Sequence, residues 1–240
     1  MAFAGVKEDR AKAKALRADG NWKEALAISE TLLSEISDEK SGDDFDGAMA
    51  CAYKLPQGGL VDGIFDLVDE HHLENTSVLL KAGNMCHTMG HDGMVIGGEF
   101  IRGRRQWQQG AEYGNAKARD RVRGLNYLIR ALKLTKENRK HQLILKGLRD
   151  LLVKGRQNNQ SWRLQILTDL NEVPEIDVTS RYSSSTSGAP VDENNNPIFY
   201  EIPQSWDEAK NDGERWRWTM DQEAQIEKDM KSDLFSFRNL

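Results

Sequence analysis

The sequence predicts an all-α protein, an α-solenoid of antiparallel helix pairs with a partly irregular C-terminal tail. Three observations lead there. Apolar residues recur at helical spacing in one segment after another, and breaks rich in Gly, Pro and Asp separate those segments. Third, 38% of the 240 residues are hydrophobic and 30% are charged. That balance suits a thin helical array, whose cross-section leaves much surface in water.

The first pair spans 7–19 and 21–36. Ala11, Ala13, Ala15 and Leu16 give the first helix a small-residue face, and Gly20 and Asn21 break it. Trp22, Ala25, Leu26, Ile28, Leu32 and Leu33 then form a helical stripe. The stretch ADGNWKEALAISETLL resembles the tetratricopeptide repeat (TPR), so the solenoid is expected to be TPR-like. Gly20 stands at the inter-helix turn, Trp22 fills the wedge beside it, and Ala25 lets the second helix approach the first. Beyond the polar break SDEKSGDD, 45–55 and 60–73 read as a second pair, parted by Pro56-Gln57-Gly58-Gly59.

Residues 75–89 make a third helix striped with Val78, Leu79, Ala82, Met85 and Met89, closed by Gly90. Residues 94–101 are a short apolar segment in which Gly97 and Gly98 suggest close backbone packing. A basic loop, 102–115, begins RGRRQWQQG. The best amphipathic helix follows at 116–135, with Val122, Leu125, Leu128, Ile129 and Leu132 in one stripe. Residues 137–155 supply the next, and Ser161 begins a last repeat helix through Leu170. The pattern thus predicts about eight helices before residue 170.

The tail differs in character. Residues 177–196, with RYSSSTSG and DENNN, read as a polar linker, and PIFYEIP as an extended segment or edge strand between two prolines. Ser205 is expected to cap a final helix with Asp207 and Glu208 in its first turn. Trp206, Trp216 and Trp218 imply a surface on which that helix docks. The organisation is therefore 1–172, a helical repeat domain; 173–204, a polar linker and extended segment; and 205–240, a Trp-rich helical segment expected to lead into a further domain.

The net charge is −5, yet residues 99–156 hold sixteen Lys and Arg against five Asp and Glu, a local +11 that leaves −16 for the rest. Such sorting predicts a basic surface facing either the chain's interior or a partner. Arg102, Arg104, Arg105 and Trp107 are the candidate partner-binding residues, because clustered guanidinium groups beside an aromatic ring suit phosphates and bases as well as protein. The plain alternative is a solvated loop with Trp107 packed on a neighbouring repeat. In ARDRVR, Arg119 and Arg123 share one helix side and Asp120 pairs across the turn.

No catalytic constellation stands out. His87 and His91 have the spacing of a helical ligand pair, with Asp92 or Glu99 at hand, but Gly90 ends the helix between them and no metal site is expected. His91 with Asp92 or Glu99 as an acid–base pair lacks a nucleophile. GxGxxG and Walker loops are missing, and GGEF lies in helical flanks that do not suit a cyclase. The chain is thus expected to be non-catalytic and without a cofactor. Cys51 and Cys86 sit in apolar helical settings and read as buried thiols. No run of eighteen apolar residues exists to span a membrane.

The order HLENTSVLLKAG, MGHDGMVIGGEFIRG, KARDRVRGLNYLIRAL and IPQSWDEAKNDGERWRW resembles the helical N-terminal region of large bacterial alpha-2-macroglobulin-like proteins, notably those of planctomycetes. The likeness covers residues 7–240 and is sharpest in HDGMVIGGEFIRG, ARDRVR and NDGERWRW. It implies a leader segment of a protease-trapping protein, with partners among that longer chain's own domains or other proteins, in the periplasm or at the cell surface. A native start at Met1 would instead imply the cytoplasm. The family's Cys-Gly-Glu-Gln thioester is absent: Cys51 lies in MACAY and Cys86 in NMCHT. The alternative is a free-standing TPR-like adaptor whose basic quarter binds nucleic acid or a partner.

Overall fold

The computed structural model describes residues 3–56, 58–103, 110–153, 164–178, 194 and 200–237. Eight helices fill most of these residues: α1 (Phe3–Ala18), α2 (Trp22–Glu35), α3 (Ser41–Ala52), α4 (Leu60–His71), α5 (Thr76–Thr88), α6 (Lys117–Leu134), α7 (Asn138–Val153) and α8 (Asp212–Phe237). A small antiparallel sheet stands between α5 and α6, built from β1 (Asp92–Ile96), β2 (Glu99–Arg102) and β3 (Glu112–Asn115) in the order β2-β1-β3. The protein is mostly helical, as the periodicity predicts. No helix among the described residues is long and apolar enough to cross a membrane.

Consecutive helices pack as α1 on α2, α2 on α3, α6 on α7 and α7 on α8, and alternate ones as α2 on α4, α3 on α5 and α5 on α7. One apolar cluster runs through them from Ala25 and Leu33 through Phe45, Phe65 and Leu79 to Leu128 and Leu152, and it takes in Trp206. Helices α5 and α6 approach closely. A methyl added at Gly124 would lie 2.7 Å from Cys86 Cβ and 3.2 Å from the Gly83 carbonyl oxygen, so the two backbones meet where neither helix carries a side chain. The Asn75 side chain caps α5, accepting from the backbone N–H groups of Ser77 and Val78 at 3.1 and 3.2 Å.

Four expectations fail. The stretch 102–115 is not all loop, since Arg102 ends β2 and Glu112–Asn115 form β3. The 94–101 segment is two strands of a hairpin: Ile96 faces Glu99 across the two-residue turn Gly97-Gly98, with φ +61° and +86°. Positive φ at both turn residues matches the right-handed twist of the flanking strands, so these glycines serve a hairpin turn and not helix packing. At 161–170, residues 161–163 lie outside the described region, 164–165 form a single 3₁₀ turn, and 166–170 are irregular. The final helix starts at Asp212, seven residues after Ser205. Asn211 supplies its cap by accepting from the Glu214 N–H at 2.8 Å, and Glu214 reaches back to the Lys210 N–H at 2.8 Å. Asp212 and Glu214, rather than Asp207 and Glu208, therefore occupy the first turn. Of PIFYEIP, residues 197–199 lie outside the described region and 200–203 are in no strand.

The tryptophan prediction has its answer within this chain. Trp206 is buried and meets Trp218 edge-on at 6.1 Å, and Trp216 and Trp218 pack against the common core. Cys51 and Cys86 are both buried.

Candidate functional site

The excess of basic residues in the middle of the chain is spent largely on the chain itself. Along α4, Asp62, Asp66 and Asp69 fall at helical spacing, and along α6 Arg119, Arg123, Tyr127 and Arg130 do the same. The two stripes run side by side in the same direction. Arg119 donates to Asp62 at 2.6 Å, Arg123 to Asp66 at 3.2 Å and Asp69 at 2.9 Å, Tyr127 Oη to Asp69 at 2.6 Å, and Arg130 to Glu74 and to the Leu73 carbonyl. Beneath these pairs the Phe65 and Tyr127 rings stack at 6.2 Å, and Arg123 lies over Phe65 at 5.5 Å.

Arg102 locks one end of this seam. It stands at the end of β2, buried, and the hairpin turn aims it between α4 and α6. All its donors are used. Nε and Nη2 reach both oxygens of Asp62 at 3.1 and 2.8 Å. Nη1 and Nη2 reach both oxygens of Asp120 at 2.8 and 3.0 Å, and Nη1 also donates to the Gly90 carbonyl at 2.7 Å. Arg102 thus has no donor left for an outside ligand. Asp120 is fully buried and also bonds His91 Nδ1 at 2.7 Å. Burial alone would raise the Asp120 carboxyl; hydrogen bonds from His91 and Arg102, with Arg119 nearby, hold it below the usual carboxylate range. His91 therefore does meet a carboxylate, but it is Asp120 and neither Asp92 nor Glu99. Its Nε2 is sealed from solvent, so the pair has no open path to a substrate. Asp92 instead accepts from Tyr113 Oη and, at 2.9 Å, from Asn115. Arg104, Arg105 and Trp107 lie outside the described residues.

A second buried cluster ties α8 to the body. Arg121 donates to the Leu151 carbonyl at 2.9 Å and to Asp212 at 2.8 Å. Asp212 also accepts from the Thr168 N–H and hydroxyl at 3.1 and 2.6 Å. Burial pushes the Asp212 carboxyl up, yet Arg121 and the Thr168 hydrogen bonds bring it below its ordinary value. Among the described residues no group of three or more His, Cys, Asp or Glu could hold a metal ion.

Beside the α4–α6 seam runs a groove of about 660 Å³. Its floor is the next stripe of α6, with Val122, Asn126, Ile129 and Lys133. One wall is the turn from α4 into α5 with Leu73 and Glu74, and the other holds Val173 from the irregular 164–178 segment. Asn126 Nδ2 holds that segment down by donating to the Leu170 carbonyl at 2.9 Å. Val173 is 72% exposed and Leu134, at the groove's end, 37%. Of the floor, Val122 and Ile129 belong to the apolar stripe that the periodicity of α6 predicts, and Asn126 and Lys133 do not. The wall at Val173 is not legible in the sequence, because an irregular strap has no period.

No protein-family model, curated protein or solved structure matches the chain.

Proposed function

We propose that this chain is a non-catalytic helical interaction scaffold, TPR-like in its first helix pair, whose partner occupies the groove along α6. The observation that carries this reading is the groove itself: a concave surface along one helix, in which Val122, Ile129 and Leu134 face Val173, the most exposed of the large apolar side chains among the described residues. A TPR-like start is supported by α1 and α2, where Ala25 is fully buried against the first helix and Trp22 packs on the core beside the Gly20 turn. The resemblance to macroglobulin-like proteins would make this scaffold the leading part of a longer protease-trapping protein. That step rests on the order of motifs in the sequence alone.

The nucleic-acid alternative has less support. Arg102, Arg119, Arg121 and Arg123 are each engaged by carboxylates of α4, α6 or α8 and are not arrayed toward solvent.

The test is a photo-crosslinking residue placed at 173 in the native host, with position 220 on α8, also exposed, as the control. A discrete protein adduct at 173 and none at 220 is expected. Adducts to nucleic acid, or equal adducts at both positions, would refute the groove as the partner site. The same immunoblot reports the mass of the native protein; a band well above 27.2 kDa supports the longer-protein reading, and one at that mass refutes it.

A further inference from the structure

We infer that the groove along α6 takes a peptide segment that carries acidic side chains among apolar ones. This rests on the groove being the partner site and adds the chemistry of what fills it. The argument follows from which charges are already matched. Inside the groove the carboxylates are engaged: Asp69 accepts from Arg123 and Tyr127, and Glu74 from Arg130. Arg119 is likewise paired with Asp62. Exposed Glu172 and Glu175 flank Val173 on the strap, whereas the exposed positive charge gathers at the Leu134 end. Lys133 lines the groove, while Lys136 lies in the turn into α7 and Arg139 in the first turn of α7; all three are exposed and have no carboxylate partner among the described residues. The end of the groove near Leu134 and Lys133 is therefore both apolar and basic, which suits a segment alternating the two opposite characters.

Nucleic acid fits the same surface less well. The one aromatic ring in the lining, Tyr127, is buried, so no base can stack on it.

The experiment measures fluorescence anisotropy of the full chain with labelled short peptides of alternating Leu–Glu, Leu–Ser and Leu–Lys, and with a single-stranded oligoribonucleotide of mixed sequence. The variants are Val173→Asp and the triple reversal Lys133→Glu/Lys136→Glu/Arg139→Glu, at exposed positions where helical circular dichroism should match the unmutated chain. Expected are binding of Leu–Glu about tenfold tighter than Leu–Lys, weakening with salt, loss of that preference in the triple variant, and loss of binding in Val173→Asp. Equal binding of Leu–Glu and Leu–Ser, both lost in Val173→Asp, overturns the acidic preference and leaves the groove reading standing. Failure of every peptide to bind, or binding untouched by Val173→Asp, overturns both. Retention of the oligoribonucleotide alone overturns both in favour of a polyanion surface.

Discussion

Replacing Arg102 by Met tests how the body is held together. The side chain spans two carboxylates, and the two differ in what the change does to them. Asp62 is 19% exposed and keeps Arg119, so its loss is that of a partly wet ion pair, about 1 kcal/mol or less. Asp120 is fully buried and would keep only His91 and a distant Arg119 contact at 3.5 Å. Leaving a buried carboxylate without its bidentate partner costs roughly 3–5 kcal/mol. For a chain of this size that corresponds to a fall in Tm on the order of 10 °C. Urea unfolding followed by tryptophan fluorescence reads it directly, since Trp206, Trp216 and Trp218 pack on the core. Arg130→Ala, whose pair with Glu74 is open to solvent, is the control and should lie within about 1 kcal/mol of the unmutated chain. The triple variant Asp62→Asn/Arg102→Met/Asp120→Asn should recover more than half of the loss, because no unmatched buried charge remains. If Arg102→Met is as mild as Arg130→Ala, the ion cluster is not what anchors the hairpin. The result also bears on function, since a substitution at Arg102 that weakens polyanion retention would reflect unfolding and not a lost contact.

Four further outcomes follow. His72 is fully buried, bonds the Leu33 carbonyl through Nε2 at 2.7 Å, and burial lowers its pKa below the usual value near 6.5. The fold therefore binds fewer protons than the unfolded chain, and stability present above pH 6.5 falls as pH drops below it; in His72→Gln the slope between about pH 5 and 6.5 in urea midpoints should flatten. Asp120 and Asp212, both depressed, contribute stability that is present above the unfolded carboxylate value and is lost as pH falls below about 4, so acid unfolding should show a second, steeper fall there. Cys51 and Cys86 are fully buried, and burial raises the Cys51 thiol, so a thiol reagent should find neither in the native protein and both in denaturant. At the hairpin turn, Gly97→Asn should be tolerated, whereas Gly98→Val should destabilise by about 1–2 kcal/mol in thermal melts; equal effects would argue against a turn with positive φ at both residues.

Much of the helical frame was legible because amphipathic helices write their period into the sequence. The Val78, Leu79 and Ala82 stripe of α5 and the Val122, Leu125 and Leu128 stripe of α6 mark their buried faces. The hairpin was misread although its signal was present: MVI and EFI flank Gly-Gly, a two-residue spacer between apolar runs. Helical context on both sides made glycine look like a packing residue, a role that belongs instead to Gly83 and Gly124, which helix periodicity alone does not distinguish from any other small residue. The onset of α8 was placed too early because Ser205 and Asn211 are equally good caps by residue type, and only the tertiary bonds of Asp212 to Arg121 and Thr168 select the second. Of the candidate site, the basic quarter was visible. Its partners were harder to see, because Asp62, Asp66 and Asp69 read locally as the solvated face of α4.

Those carboxylates show what the sorting of charge along the chain accomplishes. A basic α6 between an acidic α4 and the acidic start of α8 has two matching neighbours in the described fold, and a shift by one helical turn against α4 would set Arg119 beside Asp66 while leaving Asp62 facing Arg102 alone. Salt bridges at the surface add little stability each. Arranged as a register of Asp62 with Arg119, Asp69 with Arg123 and Tyr127, and Glu74 with Arg130, they disfavour a shift of α6 along α4. The apolar face of α6 is then divided. Leu125 and Leu128 go to the core with α5 and α7, the arginine stripe goes to α4, and Val122, Ile129 and Lys133 are left lining the groove. The groove exists because α6 is held at a rotation set jointly by its Gly124 contact with Gly83 of α5 and by the charged seam with α4.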